Sequence, residues 1–362
     1  MIGWWLGCSA GDPQVRVPPS AEAPTGETGA PTDPTPPSPP SSSTTAPTTS
    51  EPARVPVEYA NPVFAEDLPD PFVLPIDGAY LAFGTNTGWA NVAVARSIDL
   101  AEWDRVGDAL PELPAWAVSG ASLTWAPGVL DRGDGTWVLY FTARDRSRGR
   151  QCVGAATATA PDGPYVDALG APLVCQDALG GSIDPYPFTD VDGARYLLWK
   201  NDGNCCGLDV VLWSQPLTDD GLGLLAAPSE LIRHDRAWED PLIENPAMVR
   251  GDDGTLHLLY SANWWESASY AVGAAVCSTP SGPCEKVGDG PVFATIDPVW
   301  GPGGEAVFRD HDGRTWLAYH AWTAPIATYD EGGARSLRID PVVFEGSTLR
   351  IDGPSSSLRA VP

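Results

Sequence analysis

Three acidic residues of this sequence stand at the entrance of short apolar segments, close to a proline. They are Asp70 in LPDPFVL, Asp184 in SIDPYPF and Glu244 in LIENPAMV. Hydrolysis of a glycosidic bond needs two carboxyl groups that flank the bond, one ionised as base or nucleophile and one protonated as acid. A third carboxylate nearby raises the pKa of the acid, because like charges disfavour ionisation. Taken singly, each acid also fits a solvated residue in a turn that opens a strand.

The elements that must position these acids are copies of one hairpin. Asp-Gly pairs begin at Asp77, Asp134, Asp192, Asp253 and Asp312, with spacings of 57, 58, 61 and 59 residues. Each pair lies between two apolar or aromatic runs, which is a strong hairpin signal because the tight turn needs positive φ at its centre. Five copies at a nearly constant period predict a repeat architecture.

Two further candidate strands follow each hairpin, as in the small-residue segments CVGAATAT and YAVGAAVC of the second and fourth repeats. The sequence therefore predicts an all-β fold over residues 57–362, a five-bladed β-propeller with four-stranded antiparallel blades. A β-sandwich is the main alternative, but it leaves the fixed period unexplained.

The first strand of each propeller blade lies innermost, and its start sits at one mouth of the central axis. This predicts a ring of five residues: Asp70, Ala126, Asp184, Glu244 and Gly304. Their side chains differ, although the surrounding pattern is the same in every repeat. Structure alone would make the five alike, so three carboxylates and two small residues predict a site.

The composition limits the partners. The chain has 362 residues and a formal net charge of −26, which argues against nucleic acid and anionic membrane surfaces as ligands. A neutral ligand such as a sugar is compatible with this charge. Fifteen tryptophans are present, and although most should be core residues, others suit flat stacking platforms for sugar rings.

The first 56 residues differ from the rest. Residues 1–8, MIGWWLGC, resemble the end of a lipoprotein signal with Cys8 as lipid acceptor, although an arbitrary N-terminus with a free or buried Cys8 is the alternative. Residues 9–56 are rich in Pro, Thr and Ser, and such a segment cannot bury enough apolar surface to fold. We therefore expect a disordered tether and a secreted or cell-surface-anchored protein.

The remaining six cysteines agree with export, since an even set suits an oxidising compartment. Six cysteines allow fifteen connectivities. We predict that Cys277 pairs with Cys284 across a Pro-Ser-Gly-Pro turn, that Cys152 pairs with Cys175 within one repeat, and that Cys205 and Cys206 form a vicinal pair. Zinc is the alternative for some of these thiols, but no C-x-x-C spacing occurs and the chain has only four histidines.

The motifs around the acids carry a family resemblance. LPDPFVL, TWAPGVL, SIDPYPF, LIENPAMV, GPGGEAVF and LAYHAW resemble glycoside hydrolase family 43 over residues 59–352. Members are inverting five-bladed propeller enzymes that act mainly on arabinan and xylan side chains. The resemblance implies that Asp70 is the general base, Glu244 the general acid, and Asp184 the modulator of the acid's pKa and orientation. An inverting mechanism predicts base and acid carboxyls roughly 6.5–9.5 Å apart.

One departure from the family concerns the fifth repeat. Many arabinanases of the family carry Gly-His where this chain has Gly303 and Gly304, and some bind a calcium ion on the axis. The missing histidine argues against that metal, so we expect that no cofactor is required, with a structural calcium ion on the propeller axis as the alternative.

Further residues are candidates for sugar binding. Trp125 and Tyr186 lie beside ring positions, where core packing is an equal alternative. His320 should point toward the axis by resemblance, with a satisfied core histidine as the alternative. Either Arg335 or Arg338 is a candidate to bind a sugar hydroxyl, unless it forms a surface ion pair. Five more residues fall where strand connections reach the mouth: Trp89, Asn263, Trp264, Trp265 and Trp300.

The resulting hypothesis is a monomeric glycosidase that acts on an oligo- or polysaccharide, most simply an α-L-arabinofuranosidase or exo-acting arabinanase. β-Xylosidase activity is the alternative within the family. The competing class is a non-catalytic carbohydrate-binding propeller, which should lack one of the three acids. A protein-interaction propeller would leave the axis free of converging acids.

Overall fold

A computed structural model describes residues 57–120 and 123–361 of the chain. The predicted signal-like segment 1–8 and tether 9–56, with Cys8, lie outside these residues. Among the described residues, no helix is long and apolar enough to cross a membrane.

The described chain is an all-β propeller of five blades, which confirms the predicted fold. Two short strands, β1 (Glu58–Tyr59) and β2 (Phe64–Asp67), precede the blades. The first blade contains β3 (Phe72–Ile76), β4 (Ala79–Gly84), β5 (Ala93–Ser97) and β6 (Asp104–Asp108). The second contains β7 (Trp125–Asp131), β8 (Trp137–Arg144), β9 (Gln151–Ala158) and β10 (Val166–Asp167).

The third and fourth blades repeat this antiparallel order. The third contains β11 (Ser182–Thr189), β12 (Arg195–Asn201), β13 (Val211–Pro216) and β14 (Ser229–Arg233). The fourth contains β15 (Ile243–Arg250), β16 (Leu256–Ala262), β17 (Ala271–Cys277) and β18 (Cys284–Lys286). Among the described residues, three short 3-10 helices lie in connections, at Asp177–Leu179, Gly203–Cys206 and Ala237–Glu239.

The fifth blade closes the ring with strands from both ends of the described chain. It contains β19 (Val299–Arg309), β20 (Thr315–Thr323) and β21 (Ser336–Glu345), and its fourth strand is β2. Here Phe64 pairs with Leu337. Beyond β21, β22 (Thr348–Ile351) pairs with it, and β23 (Arg359–Ala360) pairs with β1. The repeat pattern did not predict this contribution of β2.

The core lies between neighbouring sheets and explains the small-residue strands. Gly154 of β9 packs on Phe141 and Trp116, and Gly273 of β17 packs on Tyr260. A Cβ at either glycine would overlap the aromatic ring, so only glycine allows this approach.

The three predicted disulfides are confirmed. The structure pairs Cys152 with Cys175, Cys205 with Cys206, and Cys277 with Cys284. The first bond joins the start of β9 to the connection that leads into the third blade.

Candidate active site

Five residues with left-handed backbone mark the same position in each blade. Their φ angles are 51° at Asp70, 43° at Ala126, 56° at Asp184, 52° at Asn245 and 61° at Gly304. In four blades a proline follows directly. The ring position of the fourth blade is therefore Asn245, and the prediction that Glu244 occupies it is wrong by one residue. Glu244 lies one residue earlier, at the position that Trp125 occupies in the second blade.

The backbone N–H of each ring residue points across to the preceding blade. In four cases it donates to a side chain on the second strand of that blade, or directly after that strand. The donor and acceptor pairs are Ala126 with Thr85 Oγ1 at 2.8 Å, Asp184 with Thr142 Oγ1 at 3.1 Å, Gly304 with Ser261 Oγ at 2.8 Å, and Asp70 with His320 Nδ1 at 3.1 Å. The sequence analysis named His320 among these four side chains but missed Thr85, Thr142 and Ser261.

The third blade breaks this pattern. Strand register places Lys200 opposite Ile183, as Thr142 lies opposite Trp125 and Ser261 opposite Glu244. An ammonium group cannot accept a hydrogen bond. The N–H of Asn245 instead donates to Oδ2 of Asp184 at 3.0 Å. Asp184 therefore fixes the backbone next to Glu244.

Asp70 is held by donors on both carboxyl oxygens. The Thr85 hydroxyl donates to Oδ2 at 2.5 Å, and Nη1 of Arg335 lies 3.4 Å from Oδ1. Nδ1 of His320 accepts a hydrogen bond from the Asp70 backbone N–H, so the proton of the neutral imidazole is on Nε2. Burial, and then the charge of Arg335, hold the pKa of His320 well below its usual range. Neutral His320 therefore orients Asp70 without adding charge.

Glu244 is also held at both oxygens. Lys200 Nζ lies 3.0 Å from Oε2, and the Tyr270 hydroxyl donates to Oε1 at 2.9 Å. The Tyr270 ring stacks on His320, with ring centroids 5.8 Å apart. The Glu244 side chain keeps 13% exposure and that of Asp70 keeps 16%, so both carboxyls reach solvent at the mouth.

Asp184 lies deeper than these two acids. Burial first, and then the charge of Glu244, raise its pKa well above the usual range of an aspartate. Burial disfavours the charge on Lys200, but Glu244, Asp184 and Asp202 outweigh it and raise the lysine's pKa. Lys200 therefore keeps its positive charge beside these carboxyls.

A further carboxyl, Glu305, lies on the axis directly after the ring residue Gly304. It is almost fully buried, accepts from the Ser261 hydroxyl at Oε2, and has no partner at Oε1 among the described residues. Burial raises its pKa to about 8. The sequence signal for Glu305 was an acid inside the apolar run GEAVF, which the ring assignment to Gly304 overlooked.

Glu305→Gln is expected to stabilise the protein increasingly with pH. The folded-state pKa is raised above the ordinary value of 4.5, so folding binds a proton, and stability falls as pH rises from about 4.5 to 8. Relative to wild type, the free energy of unfolding of the variant should rise by at most about 1.4 kcal/mol per pH unit. Urea unfolding at pH 5, 6, 7 and 8 checks this, with exposed Glu285→Gln as control. A difference independent of pH would contradict the raised pKa.

Arg335 is positioned by an aromatic cluster. Its guanidinium carbon lies 4.5 Å from the Trp265 ring centroid, and its Nε donates to the Tyr329 hydroxyl at 2.9 Å. The Tyr329 hydroxyl in turn donates to Asp67 at 3.0 Å. Burial opposes the guanidinium charge, but Asp70, Tyr329 and Asp67 outweigh it and raise the pKa of Arg335. Arg335 is therefore a permanent cation beside Asp70.

Comparison with known proteins identifies the family. The family "Glycosyl hydrolases family 43" matches residues 59–348. This chain belongs to glycoside hydrolase family 43. The predicted resemblance is confirmed, and the family 43 fold is seen again in the crystal structure of a thermostable family-43 glycoside hydrolase. That structure is 28% identical, covers 83% of this chain and 97% of its own, and gives a TM-score of 0.73.

Two curated relatives come from Bacillus subtilis (strain 168). The extracellular endo-alpha-(1->5)-L-arabinanase 2 is 26% identical, and the match covers 61% of this chain and 50% of the relative. The arabinoxylan arabinofuranohydrolase is also 26% identical, over 70% of this chain and 52% of the relative. This family 43 chain therefore spans about half the length of the two relatives.

The ring position of Gly304 leaves no room for a metal-ligating side chain in this family 43 chain. A Cβ at Gly304 would overlap the His320 imidazole and Oδ1 of Asp70. No ligating side chain can therefore replace this glycine, and Nδ1 of His320 is already used by the Asp70 N–H. The described residues contain no group of three or more His, Cys, Asp or Glu side chains arranged to hold a metal ion.

Several predicted sugar-binding residues lie away from the acids. Tyr186 is buried, packs edge-on against Phe72, and donates its hydroxyl to the Val307 carbonyl, which is the core-packing alternative. It lines a cavity of about 410 Å³ between the inner strands, toward their Asp-Gly ends. Arg338 is buried and donates to Thr323.

The tryptophans at the strand connections differ in availability. Trp264 is exposed, and Trp125 is half-buried beside the ring residue Ala126. In contrast, the Trp89 ring is covered by Arg105, whose guanidinium carbon lies 4.4 Å from the ring centroid. Trp300 donates its indole N–H to Asp297. The Asn263 amide is used within its own loop, where its oxygen accepts from the Trp264 N–H at 2.8 Å.

Proposed function

We propose that this protein is an inverting glycoside hydrolase with Asp70 as general base and Glu244 as general acid. The observation that carries the proposal is the separate anchoring of two partly exposed carboxyls at one mouth. Asp70 is held by Thr85 and Arg335, and Glu244 by Lys200 and Tyr270. An inverting glycosidase needs two such carboxyls on opposite sides of the scissile bond.

In the proposed mechanism a water molecule attacks the anomeric carbon while Asp70 accepts one of its protons. Glu244 gives its proton to the glycosidic oxygen as the bond breaks, so the leaving sugar departs as an alcohol. Hydrogen bonds from Thr85 and Arg335 hold the Asp70 carboxylate toward the water. Asp184 acts on Glu244 through its charge and through the Asn245 backbone that it fixes.

We propose α-L-arabinofuranosyl linkages in arabinan or arabinoxylan as the substrate. Two relatives named for arabinanase and arabinofuranohydrolase activity support this choice. The net charge of −26 is compatible with a neutral polysaccharide. Exposed Trp264 and half-buried Trp125 provide stacking faces for sugar rings, and Arg335 provides a donor beside Asp70.

A substrate panel tests this function. Phenyl α-L-arabinofuranoside and linear arabinan should be hydrolysed, and proton NMR should show first the product anomer of inverted configuration. Hydrolysis of phenyl β-D-xyloside alone would replace the proposal with β-xylosidase activity. Binding of oligosaccharides without hydrolysis of any substrate would favour the non-catalytic carbohydrate-binding propeller. The product sizes released from linear arabinan distinguish exo from endo action.

Export and anchoring remain part of the proposal. The Pro-, Thr- and Ser-rich segment and Cys8 motivate a secreted or lipid-tethered monomer. Metabolic labelling with a fatty-acid analogue, compared with Cys8→Ala, tests the lipid anchor, and retention of label in the variant would exclude it.

A further inference from the structure

Lys200 stands where the other blades have a hydrogen-bond acceptor. Thr85, Thr142, Ser261 and His320 occupy the corresponding positions, and each accepts the ring N–H of the next blade. Lys200 is only 1% exposed and cannot accept. A buried lysine needs a compensating partner, so its presence here calls for a role other than ring closure.

The partner of Lys200 is Glu244, at 3.0 Å. The other titratable groups that act on Glu244 are Asp184 on β11, Asp202 after β12, Tyr270 before β17, and Glu305 on β19. The three carboxyls among them all oppose a negative charge on Glu244. Lys200 is the cation in direct contact with Glu244.

We propose that Lys200 is a positioning residue that sets the pH range over which Glu244 carries its proton. The inference rests on the proposed function, in which Glu244 is the general acid. Without the ammonium, Glu244 and the carboxyls around it would hold their shared proton to higher pH, which makes a weaker acid at the glycosidic oxygen. Lys200 and Asp184 thus act on Glu244 with opposite charges.

The hydrogen-bond direction adds an orientation effect. Because an ammonium group only donates, the side of Oε2 that faces Lys200 is closed to the acidic proton. Tyr270 can accept as well as donate, so a proton on Oε1 keeps a partner there. A protonated Glu244 would therefore carry its proton on Oε1 or on the side of Oε2 that faces away from Lys200.

Lys200→Thr tests the proposal, since threonine occupies the equivalent positions of the first two blades. The rate kcat/KM on phenyl α-L-arabinofuranoside is measured from pH 5 to 9. Relative to wild type, the alkaline limb should move upward by about 1 pH unit in Lys200→Thr and downward in Asp184→Asn. Lys286→Met is the matched control. Lys286 lies on the outer strand β18, and its Nζ is 2.7 Å from the buried carboxyl of Glu239. Loss of this lysine should leave the alkaline limb of the kcat/KM profile unchanged.

A second readout uses the leaving group. Dinitrophenolate departs without a proton, so a residue that acts through the general acid matters little for 2,4-dinitrophenyl α-L-arabinofuranoside. Lys200→Thr should lower kcat about 10-fold on the phenyl substrate and less than about 3-fold on the dinitrophenyl substrate. Lys286→Met should show equal effects on both.

Glu244→Gln separates the possible failures. If this variant shows leaving-group dependence but Lys200→Thr keeps the wild-type alkaline limb and affects both substrates equally, Lys200 is only structural and the inference is overturned. If Glu244→Gln itself shows no leaving-group dependence, the assignment of the general acid fails, and the inference fails with it. Circular dichroism of each variant establishes that it is folded.

Discussion

Asp70→Asn is expected to lower kcat/KM on phenyl α-L-arabinofuranoside by about 10⁴-fold, the upper end of what a general base contributes. Asparagine can still accept from Thr85 through its amide oxygen, so the site should keep its shape. It cannot take a proton from the attacking water. KM should change little, because the change removes an interaction of the transition state rather than of the bound substrate.

The matched control for this variant is Asp77→Asn, an exposed acid at the Asp-Gly turn of the same blade. That change should leave kcat/KM within about 2-fold of wild type, as surface substitutions usually do. Wild-type turnover by a folded Asp70→Asn protein would show that another group activates the water.

Glu244→Gln is the second change with a large expected effect. On the phenyl substrate kcat should fall about 10³-fold, because phenolate must leave without a proton. On the dinitrophenyl substrate the loss should be far smaller. A plot of log kcat against the leaving-group pKa should therefore be shallow for wild type and steep for the variant. Equal losses on both substrates would count against proton donation by Glu244.

Exposed Glu285→Gln, on β18 of the same blade, controls for loss of a carboxyl from the protein's charge. It should follow the wild-type plot. Added azide gives a further distinction, because a small anion replaces a missing nucleophile or base more readily than a missing acid. It should not restore the phenyl activity of Glu244→Gln.

Much of the fold could be predicted from local signals. The Asp-Gly turns at a nearly constant period predicted five blades. The positions of the cysteines within a turn, within one repeat and next to each other predicted the three disulfides. The strand β2 was not predictable in this way, since Phe64 pairs with Leu337 across almost the whole described chain. A four-residue strand before the first repeat carries no repeat signature of its own.

The sequence predicted a site residue correctly where that residue occupies the repeated position directly before a proline. Asp70 and Asp184 were correctly placed in the ring because each directly precedes a proline. Glu244 precedes its proline by two residues, and this register indicated that Asn245, not Glu244, is the ring residue. Aligning the blades on their prolines would have avoided the error.

Lys200 was less accessible to such reasoning. It ends the apolar run YLLWK, where a lysine usually marks the solvent end of a strand. The register between β11 and β12 places it opposite Ile183, and only its contact with the next blade shows that it faces Glu244. Thr85 was hidden for a similar reason, because a threonine after a strand fits many surface positions.

The broken ring of N–H acceptors also makes position 184 sensitive to substitution. A lysine at position 200 leaves the Asn245 N–H dependent on the Asp184 carboxylate. Without an acceptor at position 184, that lysine would leave a partly buried N–H unpaired, at a cost of about 1–3 kcal/mol. The presence of Lys200 therefore limits position 184 to side chains that can accept a hydrogen bond.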